Sequence, residues 1–252
     1  MDIINFNIDS RSRNMTLYPN PGKFVYDLPY TLKNVTSIRL ASVELPNLFH
    51  TISCHFKNNF FLVNGCKVVL DSGSYTSSKL CDSLNARMTD VRVMIDPVRD
   101  RTVFVSEHPF VLSFPKESRY LSLGELLGFR KQLYNGSKAY EGEGGVTLVG
   151  ENYLLLKVND YGKVVNTVND NSYLAKVILS SNKNFLVIDN HANFLCKTHD
   201  FLQPVNVSRF CVELCDYLGH TVDMNYVDFS LTLELSYCRT SLLKTDLETN
   251  IF

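Results

Sequence analysis

Three groupings of side chains in this sequence carry enough chemistry to be weighed first. His50, Cys54 and His55 bring two imidazoles and a thiol close together, donor types that hold zinc. They follow Pro46 in a stretch without regular periodicity, and no second ligand pair stands at suitable spacing, so surface or packing roles are the better reading. Cys196, His199 and Asp200 offer a nucleophile, a base and a carboxylate to orient it. A chain this long contains such triplets by chance. Gly142-Glu143-Gly144-Gly145 lacks the Lys-Ser/Thr of a phosphate-binding loop, and no strand-then-helix context surrounds it. No H-E-x-x-H, C-x-x-C or G-x-S-x-G pattern occurs. The expectation is no catalytic residue, no metal ligand set and no cofactor.

Groups suited to gripping a partner are easier to find. Arg11 and Arg13, in a polar N-terminal segment, suit phosphate or a carboxylate-rich surface, with solvated arm charges as the alternative. Tyr18, Tyr134 and Tyr140 stand in turn-rich stretches and offer the aromatic contact area that interfaces use. Tyr134 and Tyr140 would also stack on sugars if these loops bound a glycan or a receptor. These five residues are the candidate subunit contacts.

The composition bounds what such contacts serve. With 252 residues, 45% of them hydrophobic, the chain can bury a real core. Its 25 Lys+Arg against 26 Asp+Glu give a net charge of -1, which argues against coating nucleic acid. No apolar run reaches the roughly 18 residues of a membrane-spanning helix. Seven scattered cysteines make a poor disulfide framework and read as free thiols in a reducing compartment. The N-terminus has no basic, apolar secretory pattern, so formal glycosylation sequons such as Asn135-Gly136-Ser137 read as chance matches.

The elements that must position these residues are mostly strands. Met1 to Gly22 is polar and proline-bearing, an expected extended arm. Phe24 to Leu28 and Val35 to Leu45 read as strands, and Asn64-Gly65 joins two more in a hairpin. Leu80, Leu84 and Met88 mark one apolar helix face within Thr76 to Val91, with Ser74 or Thr76 as cap. A second hairpin covers Val91 to Val105, and Phe110 to Phe114 follows. Leu121 to Phe129 reads as a short helix closing on Gly128. Asn135 to Gly150 is glycine-rich and expected as a mobile loop. Beyond Tyr153 to Val158, an ambiguous stretch from Tyr173 to Leu179 and a strand candidate from Phe185 to Ile188, His191 to Asp200 reads as irregular. The clearest signal lies in Phe210 to Cys215 and Phe229 to Tyr237, where strict alternation means one buried and one wet face. About ten strands without a βαβ rhythm predict a mainly β chain, an antiparallel β-sandwich of jelly-roll type with one or two short helical insertions. The expected divisions are an arm (1–22), the sandwich domain (23–240) and a tail (241–252).

The order of several short motifs then resembles a known family. Ile8-Asp9-Ser10-Arg11-Ser12-Arg13-Asn14, Tyr18-Pro19-Asn20-Pro21 and Leu40-Ala41-Ser42-Val43-Glu44-Leu45-Pro46-Asn47 are similar to the opening of virion proteins from nucleocytoplasmic large DNA viruses. Phe60-Phe61, Gly73-Ser74-Tyr75-Thr76, Leu126-Leu127-Gly128-Phe129, Asn152-Tyr153-Leu154-Leu155-Leu156, Phe201-Leu202-Gln203-Pro204-Val205-Asn206 and Asp228 to Leu235 continue the match. The resemblance covers nearly the whole chain. It implies a capsid-associated structural protein of a giant virus, either the penton at the five-fold vertices or another minor capsid protein. It brings no catalytic residues. The partners it implies are further copies of the chain (a homopentamer for a penton), the major capsid protein and other minor capsid proteins, with the inner viral membrane as a further contact. Nucleic acid is not among them. The implied location is the virion, with assembly in the host cytoplasm.

Overall fold

The alternating run near the carboxyl end is a strand with Leu231, Leu233 and Leu235 buried and Ser230, Thr232 and Glu234 half-exposed. It belongs to a computed structural model that describes residues 1–179, 186–190 and 197–238. The expected tail, 241–252, lies outside the described residues.

In chain order the strands are β1 (Asp2–Asp9), β2 (Lys23–Pro46), β3 (Phe60–Val63), β4 (Cys66–Val69), β5 (Val91–Asp96), β6 (Arg101–Ser113) and β7 (Leu133–Glu141). There follow β8 (Tyr153–Val158), β9 (Val164–Asn166), β10 (Asn171–Tyr173), β11 (Ala175–Ile178), β12 (Leu186–Asn190), β13 (Thr198–Cys215) and β14 (Ser230–Tyr237). Two short helices, α1 (Ser77–Asn85) and α2 (Leu123–Leu126), interrupt them. The protein is therefore mainly antiparallel β, of the sandwich and jelly-roll type.

Contacts divide the chain into two units: Met1–Leu48 with Asn152–Phe252, and Phe49–Glu151. In the first unit the strand order is β1-β14-β2-β13-β8-β11, with β12 also on β2. The long strands β2 and β13 explain how one sheet makes a sandwich. Lys23 to Asp27 of β2 pairs with Arg209 to Glu213, whereas Val35 to Arg39 pairs with Thr198 to Val205, and the register slips repeatedly between these stretches. Pro29 in β2 and Pro204 in β13 fall in those slips, where a missing N–H and a bulge let a strand bend. The two layers then face each other. Phe6 on β1 meets Phe210 on β13 with ring centroids 5.7 Å apart, although three inter-strand steps in a flat sheet would separate them by about 14 Å. Phe24 and Phe229 meet in the same way at 6.1 Å.

β1 differs from the expected arm. Residues 2–9 pair with β14 in unbroken register. Ile4 and Phe6 are half-buried and Ile8 is buried, while Ile3, Asn5 and Asn7 face out. Asparagine on the wet face made this alternation look merely polar.

The second unit has its own sheet, β4-β3-β6-β5 with β7 on the other edge of β6. Its core joins Phe61, Phe104, Phe114 and Phe129 to Leu80 and Leu84 of α1 and to Leu123 and Leu127. Thr76 caps α1 by accepting from Lys79 N. The helix is shorter than expected because Asn85 turns its carboxamide onto the Val93 backbone, donating at 2.9 Å and accepting at 2.8 Å. A capping box of Ser122 and Glu125 starts α2.

The expected mobile loop is also different. Most of its first half is β7, and Gly142, Gly144 and Gly145 pack onto Gly128. Gly128 has φ +88, and a Cβ there would lie 2.2 Å from the Gly144 carbonyl oxygen. These glycines allow close backbone approach and are not signs of looseness.

Candidate assembly surface

At one end of the first unit the chain passes from β1 into a 3-10 turn, Ser10–Ser12, and a turn-rich segment up to Gly22. Asp9 caps that turn and forms an ion pair with Arg11. The hydrogen bond from Arg11, the leading cause, holds the Asp9 carboxyl below its ordinary range, and the same pairing raises Arg11. Arg11 keeps 73% of its side chain exposed and can still present charge outward.

Arg13 does something else. Its side chain is 4% exposed. The guanidinium pairs with Asp228 and donates to the main-chain carbonyls of Ser10 at 2.7 Å and Tyr18 at 2.9 Å. Ser10 Oγ donates to Asp228 at 2.7 Å and accepts from Phe229 N at 3.0 Å. Asn20 Nδ2 donates to the Val222 carbonyl at 2.9 Å. Segments 10–22 and 216–229, some two hundred residues apart in sequence, are thus tied into one platform.

The platform displays apolar side chains to solvent. Met15, Leu17 and Tyr226 are 60%, 68% and 80% exposed. Asn225 and Tyr226 both have positive φ, +49 and +60, which is unusual for a bulky residue and holds Tyr226 outward. Tyr18 is half-buried and borders a groove of about 520 Å³ with Lys23, Val25, Lys157, Arg209 and Cys211.

Tyr134 and Tyr140, in the second unit, are built into that unit's own packing. Tyr140 is buried and donates to the Phe110 carbonyl at 2.8 Å while accepting from Ser137 N at 2.9 Å. Tyr134 sits edge-on to Phe129 at 5.2 Å, and its hydroxyl donates to Glu143 at 2.7 Å and accepts from Lys131 N at 3.0 Å. Burial pushes the Tyr134 phenol up. It would push Glu143 up too, but hydrogen bonds from Tyr134 and Arg130 N bring that carboxyl below its usual range. Arg13 and Tyr140, expected as contact residues, therefore have their side chains consumed inside the protomer. Each lies where its polar head satisfies buried main-chain groups.

The groups weighed for chemistry are dispersed. His50, Cys54 and His55 are all exposed, and no cluster of three metal-ligating side chains occurs among the described residues. Cys196 lies outside the described residues. His199 packs between Tyr161 and Phe201, with Nδ1 2.8 Å from the Gly162 carbonyl. Burial pushes the Cys215 thiol up to about 12, so it stays protonated. No described helix is long and apolar enough to cross a membrane. Sequence reasoning missed Ser10 and Asp228, whose partners are too distant along the chain to leave a local pattern.

No family model and no curated protein matches this sequence. Among solved structures the chain is similar to the mavirus penton protein, known from a crystal structure of its selenomethionine form, with a TM-score of 0.52. The likeness covers 94% of this chain and 99% of that one at 12% sequence identity. At such low identity it speaks for the fold. Over most of its length the chain shares its β-sandwich architecture with a viral penton protein.

Proposed function

We propose that this chain is a non-enzymatic virion structural protein that helps assemble and stabilise an icosahedral capsid, as the penton or as another minor capsid protein of a large DNA virus. The observation that carries the reading is the two-sided coverage of the penton likeness, which leaves little of either chain unmatched. The platform supports it. Three exposed apolar side chains stand on loops tied to the sandwich, whose ordering entropy is already spent, so a neighbour gains contact area without freezing a flexible segment. Arg11 and Tyr18 border the same end of the unit and complete the proposed contact set. The alternative, a glycan- or receptor-binding sandwich on the virion surface, loses Tyr140 as a stacking platform because that ring is buried.

As a penton, the chain forms a ring of five by heterologous contacts, each copy offering one surface and receiving another. Light scattering on the purified chain then reads five copies of 28.7 kDa, about 144 kDa. Replacing Met15, Leu17 and Tyr226 together by serine lowers that mass while leaving the circular dichroism unchanged. A folded protein that stays monomeric at high concentration overturns the penton reading. The chain's position in a particle reconstruction decides between the five-fold vertex and another site.

A further inference from the structure

The sequence holds two Asn-Gly pairs, Asn64-Gly65 and Asn135-Gly136. Glycine leaves its own backbone nitrogen unshielded, so an asparagine side chain before it can close onto that nitrogen more easily than before any other residue. Both pairs flank the same residue, Val111, from opposite sides of β6. Asn64 is held by it twice: Asn64 N donates to the Val111 carbonyl at 2.9 Å, and Val111 N donates to Asn64 Oδ1 at 2.9 Å. The Asn64 carboxamide cannot turn toward Gly65 without giving up the second bond.

Asn135-Gly136 is the opposite case. The β6–β7 register pairs Phe110 with Ser137 and Leu112 with Tyr134, so Asn135 and Gly136 together face Val111 as a bulge. Both are exposed, Gly136 has φ +80, and a Cβ placed on it would meet nothing within 4 Å. Among the described residues the Asn135 carboxamide has no hydrogen-bond partner. We infer that Asn135 is a site of spontaneous deamidation in the folded protein, while Asn64 is protected by Val111. The Gly136 backbone nitrogen attacks Asn135 Cγ. The new N–Cγ bond replaces Cγ–Nδ2, and ammonia leaves with the amide proton. Water then opens the resulting succinimide at either carbonyl, leaving aspartate or isoaspartate. Either product adds a negative charge to the edge strand β7, and isoaspartate also inserts a methylene into its backbone.

The test is ageing of the purified full chain at mildly alkaline pH, followed by peptide mapping for the amide-to-acid mass shift and by isoaspartyl methyltransferase labelling. In the folded protein Asn135 converts at least about tenfold faster than Asn64, the factor that loss of one or two hydrogen bonds imposes. In guanidinium, where no fold protects either site, the two rates agree within about a factor of two, because both asparagines precede glycine. Asn135→Gln abolishes the shift at its own peptide. Equal rates in the folded protein, or an unmodified Asn135, overturn the inference.

Discussion

Replacing Arg13 by methionine keeps most of the aliphatic stem and removes the guanidinium that ties the platform together. Three acceptors lose a donor: the carboxylate of Asp228 and the carbonyls of Ser10 and Tyr18. Breaking a fully buried charged pair costs about 3–5 kcal/mol. Asp228 retains 29% side-chain exposure and its bond from Ser10 Oγ, so water takes over part of the loss. That brings the expected cost to about 2–3 kcal/mol, which for a chain of this size lowers Tm by about 4–12 °C. Asp228→Asn keeps an acceptor for Ser10 but leaves the buried guanidinium without its counter-charge, and costs at least as much, about 2–4 kcal/mol. The double variant then loses less than the sum of the two, with a coupling of about 1–2 kcal/mol. Hydrogen exchange at Phe229 N, which donates to Ser10 Oγ, reports the loosening locally even if the two units melt separately. An Arg13→Met protein with unchanged Tm and unchanged protection at Phe229 would refute the claim that this guanidinium organises the platform.

Other perturbations read other parts of the molecule. Gly128→Ala drives a Cβ into the Gly144 carbonyl at a position with φ +88, and thermal melting should show a loss of about 3 kcal/mol or more. Glu125 loses acidity to burial but regains more through Lys116 and Ser122, so its folded pKa lies below its ordinary value of 4.5. Its contribution to stability is therefore present above that value and is lost as pH falls through the lower folded one; Glu125→Gln should flatten the acid limb of a pH–stability curve. A thiol reagent at pH 8 should label Cys54, Cys66, Cys211 and Cys238 quickly, since all four are exposed, and reach buried Cys215 only on unfolding, as peptide mapping after the reaction will show.

What could be read in the sequence was local. The alternation of Leu231, Leu233 and Leu235, the Asn64-Gly65 turn and the Thr76 cap each concern residues within a few positions of one another, and each is in place. The bend shared by β2 and β13 was not legible, because Pro29 and Pro204 acquire meaning only once the strands carrying them are paired. The Arg13–Asp228 contact spans 215 positions and has no periodic signature, so Arg13 looked like a charge meant for a partner subunit or for solvent. Gly142 to Gly145 suggested mobility, whereas the structure uses the missing side chains to seat that segment on Gly128. The inserted unit, Phe49–Glu151, was legible at one border only: the glycine-rich stretch from Asn135 to Gly150, the one candidate boundary in the sequence, ends beside Glu151, whereas the entry at Phe49 passes from strand-rich sequence into strand-rich sequence.

Because β2 and β13 each run through both layers of the sandwich, the layers are not joined by side chains alone. A load that pries one face from the other is carried at the corner by peptide bonds, and rupture there requires peeling two strands out of register. Such a body resists splitting along its greasy seam, and it yields first where single strands such as β1 and β11 form the rim.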